Sequence, residues 1–225
     1  MTYDEYIAYH LRGDAGVEER MIASLCRHHN LSAWDSFRLI YYYAMTYHIP
    51  SALDMLLKGE RDIKRVKFRT DRRWVGFVPE RFERMLRELS PLKLTALAAV
   101  RTTQQAYDVV CKWYYFSRYA AYLFLEVYCN VFKPGWADDL APGWEHDELY
   151  TKGAVMVAKS EERAALDKFL ARARIDTKDN TFAIETSLCA VAKFAKGTRY
   201  DGYYTERLLD DVRGTAYEQT IYRLL

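Results

Sequence analysis

The chain has 225 residues, of which 50 % are hydrophobic and 28 % charged, and its 33 basic and 31 acidic side chains leave a formal net charge of only +2. That composition excludes a disordered or membrane-embedded chain and allows a substantial core without disulfide staples, so a single domain over residues 1–225 is expected. The longest apolar run, YAAYLFL before Glu126, is far too short to span a bilayer, and the opening MTYDEYIAYH lacks a signal-peptide layout, so the expectation is a cytoplasmic protein with no membrane partner.

Helical periodicity recurs along almost the whole sequence. Ser32 precedes Asp35 and Ser51 precedes Asp54 in the S-x-x-D spacing that satisfies the orphan amides of a new helix, and Gly59 closes the second of these segments. Pro79 opens PERFERMLREL, Ser90 with Pro91 opens the next helix, and Ser160 opens EERAALDKFLARARI. The segment from Thr102 to Phe132 reads as one long or kinked helix, apolar and aromatic enough to be central. Only RVKFRT and RWVGFV approach strand character, enough for one small hairpin at most. Two irregular regions remain, residues 60–78 and KPGWADDLAPGWEHDE, whose Pro and Gly residues force turns and expose two Trp. The expected fold is all-α: a compact multi-helix domain with a central apolar helix and two functional loops.

The four cysteines are widely spaced inside apolar segments, and the adjacent His28 and His29 would point to different faces of a helix. No metal set or disulfide framework is legible there, and no cofactor is expected. The aromatic content is high, 15 % with 19 tyrosines, which supplies many rings able to pack with one edge and stack or hydrogen-bond with the rest.

Three constellations stand out. KRVKFRTDRRWVGF, from Lys64 to Phe77, concentrates Lys64, Arg65, Lys67, Arg69, Arg72 and Arg73 in a chain otherwise nearly balanced, and Phe68 and Trp74 place planar surfaces beside the cations. It reads either as a solvated loop with Asp71 pairing an arginine or as a grip on nucleic-acid phosphates. In IETSLCAVAKFAKGTRYDGYYTER, from Ile184 to Arg207, helical geometry puts Glu185, Cys189, Lys193 and Lys196 in one stripe about 80° wide beside an apolar one. Arg199, Tyr203, Tyr204 and Arg207 follow around the Asp201-Gly202 turn, and the alternative to a site is an amphipathic surface helix with a buried thiol. In FSRYAAYLFLEVYCN, Arg118, Tyr122 and Glu126 share one helix face, as a structural ion-pair network, a pocket wall, or both. A phosphate-binding G-x-x-x-x-G-K-[ST] loop, G-x-G-x-x-G, H-E-x-x-H and G-x-S-x-G are all absent from the sequence, which disfavours the usual ATP-driven kinases and nicotinamide enzymes.

FRTDRRWVGF, SRYAAYLFLE and ETSLCAVAKFAKGTRYDGYY, in this order over roughly residues 30–210, resemble a bacteriophage family: the amino acid:DNA transferases, related to the helical domains of hydroxymethyluracil DNA kinases and to α-glutamyl/putrescinyl thymine pyrophosphorylases. The resemblance implies an enzyme working in a host cytoplasm on double-stranded DNA that carries 5-pyrophosphoryloxymethyl-uracil. An amino acid such as glycine, or a polyamine, displaces pyrophosphate and leaves a hypermodified thymine. That chemistry needs cations for the leaving polyanion, for which Arg69, Arg72 and Arg73 are candidates, and a base for the amine proton, for which Glu185 comes first and Glu126 next. Arg118 or Arg199 would clamp an amino-acid carboxylate, with Tyr122 and Lys193 beside them, and Trp74, Tyr203 or Tyr204 would receive a flipped base. Lys64, Arg65 and Lys67 would hold DNA backbone, Asp71 would orient the arginines or bind the amine, and Cys189 is either a buried thiol or a nucleophile toward carbon 6 of the base. The competing expectations are a non-catalytic DNA-binding accessory protein and a helical base-excision-type enzyme that activates water.

Overall fold

The computed structural model of the chain describes residues 1–69, 78–134, 136 and 148–225. Among these the architecture is all-α, as expected, with no strand. In chain order the helices are α1 (Tyr3–Arg12), α2 (Val17–His28), α3 (Ala33–Thr46), α4 (Ile49–Leu57), α5 (Pro79–Glu88), α6 (Pro91–Ala99) and α7 (Thr103–Val110). They continue with α8 (Arg118–Phe132), α9 (Glu148–Ala158), α10 (Arg163–Thr177), α11 (Thr181–Ala195), α12 (Tyr203–Val212) and α13 (Glu218–Leu224). No described helix is long and apolar enough to cross a membrane. The chain falls into two compact units, each assembled from separated stretches: Met1–Val17 with Gly135–Arg207, and Glu18–Pro134 with Leu208–Leu225.

In the first unit, α1 opens with a capping box in which Thr2 Oγ1 accepts from Glu5 N–H and the Glu5 carboxylate accepts from Thr2 N–H at 2.6 Å, and it closes at Gly13 with φ 78°. Its inner face, Tyr6 and Tyr9, packs with Phe169 and Leu170 of α10 and Ile184 and Leu188 of α11 in one apolar cluster. Against α11 lies α9, and a Cβ on Gly153 would stand 2.1 Å from the carbonyl oxygen of Leu188, an approach that only glycine permits. Gly202, preceding α12, has no side chain with which to cap it. That role falls to Asp14, just beyond the Gly13 turn, whose carboxylate accepts from Tyr204 N–H at 3.3 Å, Thr205 N–H at 3.0 Å and the Thr205 hydroxyl at 2.9 Å.

In the second unit the start signals at Ser32, Pro79 and Ser90-Pro91 hold: Ser32 Oγ accepts from Asp35 N–H at 3.1 Å to start α3, and prolines occupy the first turns of α5 and α6. Two expected starts are corrected. Ser51 lies inside α4, whose cap is the His48 ring, with Nδ1 accepting from Ser51 N–H at 3.2 Å. In the first unit α10 starts at Arg163, and Ser160 only tightens the preceding turn by accepting from Glu162 N–H at 3.2 Å.

The single helix expected from Thr102 to Phe132 is also corrected: α7 and α8 are separated by residues 111–117, where Tyr115 takes the left-handed φ of 66°. The break has a packing cause. Trp113 and Phe116 both turn onto Phe124 of α8, at 5.2 and 5.7 Å between ring centroids, and onto Tyr41 of α3 at 6.2 and 5.2 Å. Along α8 every residue from Leu123 to Cys129 is buried, so it is central as expected, and α3 shares that role. Much of the unusual tyrosine content is core: Tyr6, Tyr9, Tyr41, Tyr42, Tyr43, Tyr47, Tyr128 and Tyr150 are all fully buried.

Candidate functional site

In the first unit, α11 grades from core to solvent along the stripe legible in the sequence. Glu185 is buried, Cys189 and Lys193 are half-buried and Lys196 is exposed. Asn180 starts the helix, its side chain accepting from Ala183 N–H at 3.0 Å, and Gly197 at φ 67° ends it. The Cys189 thiol donates to Glu185 Oε1 at 3.7 Å. Tyr150 of α9 lies in the same surroundings: burial first, and then the charge of Glu185, push its hydroxyl well above the ordinary tyrosine range.

Past the Gly197 turn, the Arg199 guanidinium sits 4.1 Å over the Tyr203 ring, and Arg207 sits 5.9 Å over Tyr203 and 5.3 Å over Tyr204. Tyr203 thus has two guanidiniums near its ring. Tyr204 is different, being 4 % exposed and part of the apolar cluster, so its expected role as a stacking surface for a base is corrected to core packing. The exposed ring here is Tyr200, 5.5 Å from Tyr203 and perpendicular to it.

The residues of α8 lie in the second unit. Glu126 is buried, Tyr122 is half-buried, and Arg118 occupies the first position of the helix. In the basic stretch, Lys64, Arg65 and Lys67 are exposed, with Arg65 within 3.8 Å of both Glu60 and Asp62. Phe68, read from the sequence as a free plane, instead packs edge-on against the buried Phe82 at 5.6 Å. Arg69 pairs through Nε and Nη2 with Asp211 of α12. Asp71, Arg72, Arg73 and Trp74 lie outside the described residues, as does Trp144 of the second irregular region.

Around Arg69 is a polar network that the sequence did not announce. Arg69 N–H donates to the Thr46 carbonyl at 3.0 Å, Lys67 N–H donates to Ser51 Oγ at 2.9 Å, and Ser51 Oγ lies 2.9 Å from His48 Nδ1. Because Nδ1 accepts, the ring proton resides on Nε2, which faces Asp211 Oδ1 at 3.7 Å. Burial, seconded by Arg69 and Lys67, lowers the His48 pKa to about 4. A second serine–histidine–aspartate row occurs in the first unit, where His10 Nδ1 is 2.6 Å from Ser187 Oγ and Nε2 is 2.5 Å from Asp179 Oδ2. Ser187 is buried in mid-helix and within 3.0 Å of the Ala183 carbonyl, so this row fastens α1 to α11 and presents no nucleophile.

Glu18 and Glu19 are both buried, a pairing that sequence reading passed over because two acids in a first helical turn look like solvated dipole partners. Tyr43 OH lies 3.1 Å from Glu18 Oε2, and Tyr47 OH donates to Glu19 Oε1 at 3.2 Å. Only the spacing of Tyr43 and Tyr47, one turn apart on the C-terminal side of α3, could have hinted at it. Among the described residues no group of three or more His, Cys, Asp or Glu is placed to hold a metal ion.

Comparison with protein-family models, with curated proteins and with solved structures found no match to this chain.

Proposed function

We propose that the chain is a transferase that modifies a pyrimidine base in DNA, with α11 and the turn into α12 as its reactive surface. The observation that carries this reading is the α11 stripe: a carboxylate in the core at Glu185, a thiol 3.7 Å from it at Cys189, Lys193 at the rim, and Arg199 and Arg207 near the Tyr203 ring beyond. The resemblance of these segments to the phage amino acid:DNA transferases supplies the reaction. The amine nitrogen bonds to the exocyclic methylene of 5-pyrophosphoryloxymethyl-uracil, the C–O pair leaves with pyrophosphate, and Glu185 takes the amine proton. Arg199 and Arg207 are the cations for an amino-acid carboxylate or the departing polyanion, and Tyr203 is the ring against which a flipped base would rest. Lys64, Arg65 and Lys67 serve as contacts to DNA backbone in the second unit, with Glu126 as the alternative base.

DNA bearing the pyrophosphorylated base, incubated with labelled glycine, should acquire label, and Glu185→Gln should abolish the transfer while leaving DNA binding intact. Cys189→Ser retaining near-normal turnover would assign the thiol to packing; loss of turnover would assign it to addition at carbon 6. If a folded chain transfers neither an amino acid nor a polyamine, the reading fails. Of the three arginines expected to hold the departing pyrophosphate, Arg69 is committed to Asp211, so it holds the loop in place and is not assigned to the leaving group.

A further inference from the structure

A second concentration of cations and rings lies in the second unit, on residues to which the proposed chemistry gives no role. The connection between α7 and α8 carries Trp113, Tyr114 and Tyr115 in succession, and each ring is faced by a cation from α5 or α6. Lys93 Nζ is 4.5 Å from the Trp113 centroid, Arg84 Cζ 3.8 Å from that of Tyr114, and Arg81 Cζ 4.9 Å from that of Tyr115. The Tyr115 hydroxyl also accepts from Arg81 Nη1 at 2.6 Å. The three contacts fall on three consecutive rings and so form one continuous row of cation and ring.

Arg81 and Arg84 are three positions apart on α5 and therefore share a side. Tyr115 holds a left-handed φ of 66°, a conformation that a bulky residue adopts at a cost, and it does so where the backbone must turn one ring toward each arginine. Tyr114 and Tyr115 are partly buried, Arg84 keeps 54 % of its side chain in solvent, and Leu92, beside Lys93, is 77 % exposed. Burial against Trp113 draws the Lys93 ammonium below the ordinary lysine range, with Glu88 opposing.

We propose that this ladder is a nucleic-acid contact surface for an unpaired strand, with phosphates on Arg81 and Arg84 and bases against Tyr114 and Tyr115. It rests on the reading that the chain acts on DNA, and it names a place where a strand separated during base extrusion would be held. The local charge supports it, because Arg81, Arg84, Arg87, Lys93, Arg101 and Lys112 outnumber Glu80, Glu83, Glu88 and Asp108. Arg84 pairs with the partly buried Glu88 at 2.9 Å and Arg87 with the exposed Glu83 at 3.6 Å, each one turn apart. Pairs of that kind are weak, whereas a phosphate offers a guanidinium two charge-assisted bonds, so the pairs yield to a strand. Guanidinium and phenol planes also stack on any base, which suits a contact indifferent to sequence.

The test uses the full chain and a fluorescently labelled oligothymidylate, with anisotropy read across a salt series and a duplex of the same length for comparison. Wild type should bind the single strand, and Tyr114→Ala should weaken binding about 5- to 100-fold, whereas Tyr114→Phe, which keeps the plane, should restore it. Arg81→Ala with Arg84→Ala should flatten the slope of log affinity against log salt by about 1 to 1.5, the release expected for two single-strand phosphates. Wild-type affinity and slope in variants with wild-type melting profiles would overturn the proposal, as would a ladder that captures duplex only or no oligonucleotide. Label transfer from glycine, measured on the same variants, keeps the two readings apart: transfer with unaltered strand binding removes the ladder and leaves the transferase.

Discussion

Gly153→Ala tests the packing that holds Glu185 and Cys189 where they are. The new methyl carbon would lie 2.1 Å from the Leu188 carbonyl oxygen and 2.8 Å from its carbon, both backbone atoms of α11. A carbon–oxygen contact relaxes only at about 3.3 Å, so α9 and α11 must part by roughly 1 Å along a core that is packed as densely as an organic crystal. Overpacking of this kind costs about 1–3 kcal/mol, and more when backbone has to move. The opposing gain, alanine over glycine inside a helix, is about 1 kcal/mol. Because both clashing atoms are backbone, the upper end of that range applies, and the net expectation is a loss of about 2 kcal/mol, which for a chain of this size lowers Tm by about 4–8 °C. Leu188 sits between Glu185 and Cys189 in sequence, so transfer activity should fall by more than the melting shift explains. Thermal unfolding followed by circular dichroism decides the sign. An unchanged or raised Tm, the outcome of helix propensity alone, would refute the close crossing.

His48 makes stability depend on pH. Its folded value of about 4 lies below the ordinary 6.5, so between those limits the unfolded chain binds a proton that the folded chain refuses, and about 3 kcal/mol of stability is lost as pH falls through the window. His48→Asn keeps an acceptor for Ser51 N–H and removes the titration, and its Tm should fall less steeply than that of wild type from pH 6.5 to 4. Asp14→Ala should cost about 1–2 kcal/mol by uncapping α12, with hydrogen exchange accelerating first at Tyr204 and Thr205. A double-mutant cycle of Arg69→Ala and Asp211→Ala should give a coupling of about 1–3 kcal/mol, between the values of exposed and fully buried pairs. A coupling near zero would mean that the basic stretch is not anchored through that contact.

Local rules carried the fold class and several helix boundaries. Ser32, Pro79, Ser90-Pro91 and Gly197 act within one turn of themselves, so their meaning is fixed by neighbours in sequence. What local rules could not supply was any partner far along the chain. His48 took the capping role that Ser51 seemed to hold, because Ser51 Oγ is engaged by Lys67 N–H and the His48 ring. Residues 111–117 break what periodicity reads as one helix, since Trp113 and Phe116 gain more from meeting Phe124 and Tyr41 than the backbone gains from two further turns. Asp14 caps a helix 190 residues away, and no pattern in GDAGVEER could announce that.

The same division runs through the candidate site. The α11 stripe was legible because four polar residues on one helix face need only the period of 3.6 to be placed together. The meaning of each cation was not, since it depends on which carboxylate or ring lies against it. Arg69 counted in the sequence as one more positive charge in KRVKFRTDRRWVGF, yet Asp211, 142 positions on, takes its guanidinium. Arg81 and Arg84 counted as ordinary members of the balanced helix PERFERMLREL, yet they face two tyrosines that a strained connection holds toward them. Charge density along a sequence therefore does not tell how Arg69 is used: its guanidinium is taken up by the fold, while Arg81 and Arg84 of the balanced helix lie against tyrosine rings. An ion pair largely closed to solvent, such as Arg69 with Asp211, is costly to break from one side, whereas a pair open to solvent, such as Arg84 with Glu88, contributes little. Binding contacts are consequently to be sought where cations are held by rings and weak pairs, and the α5 ladder meets that condition where Arg69 does not.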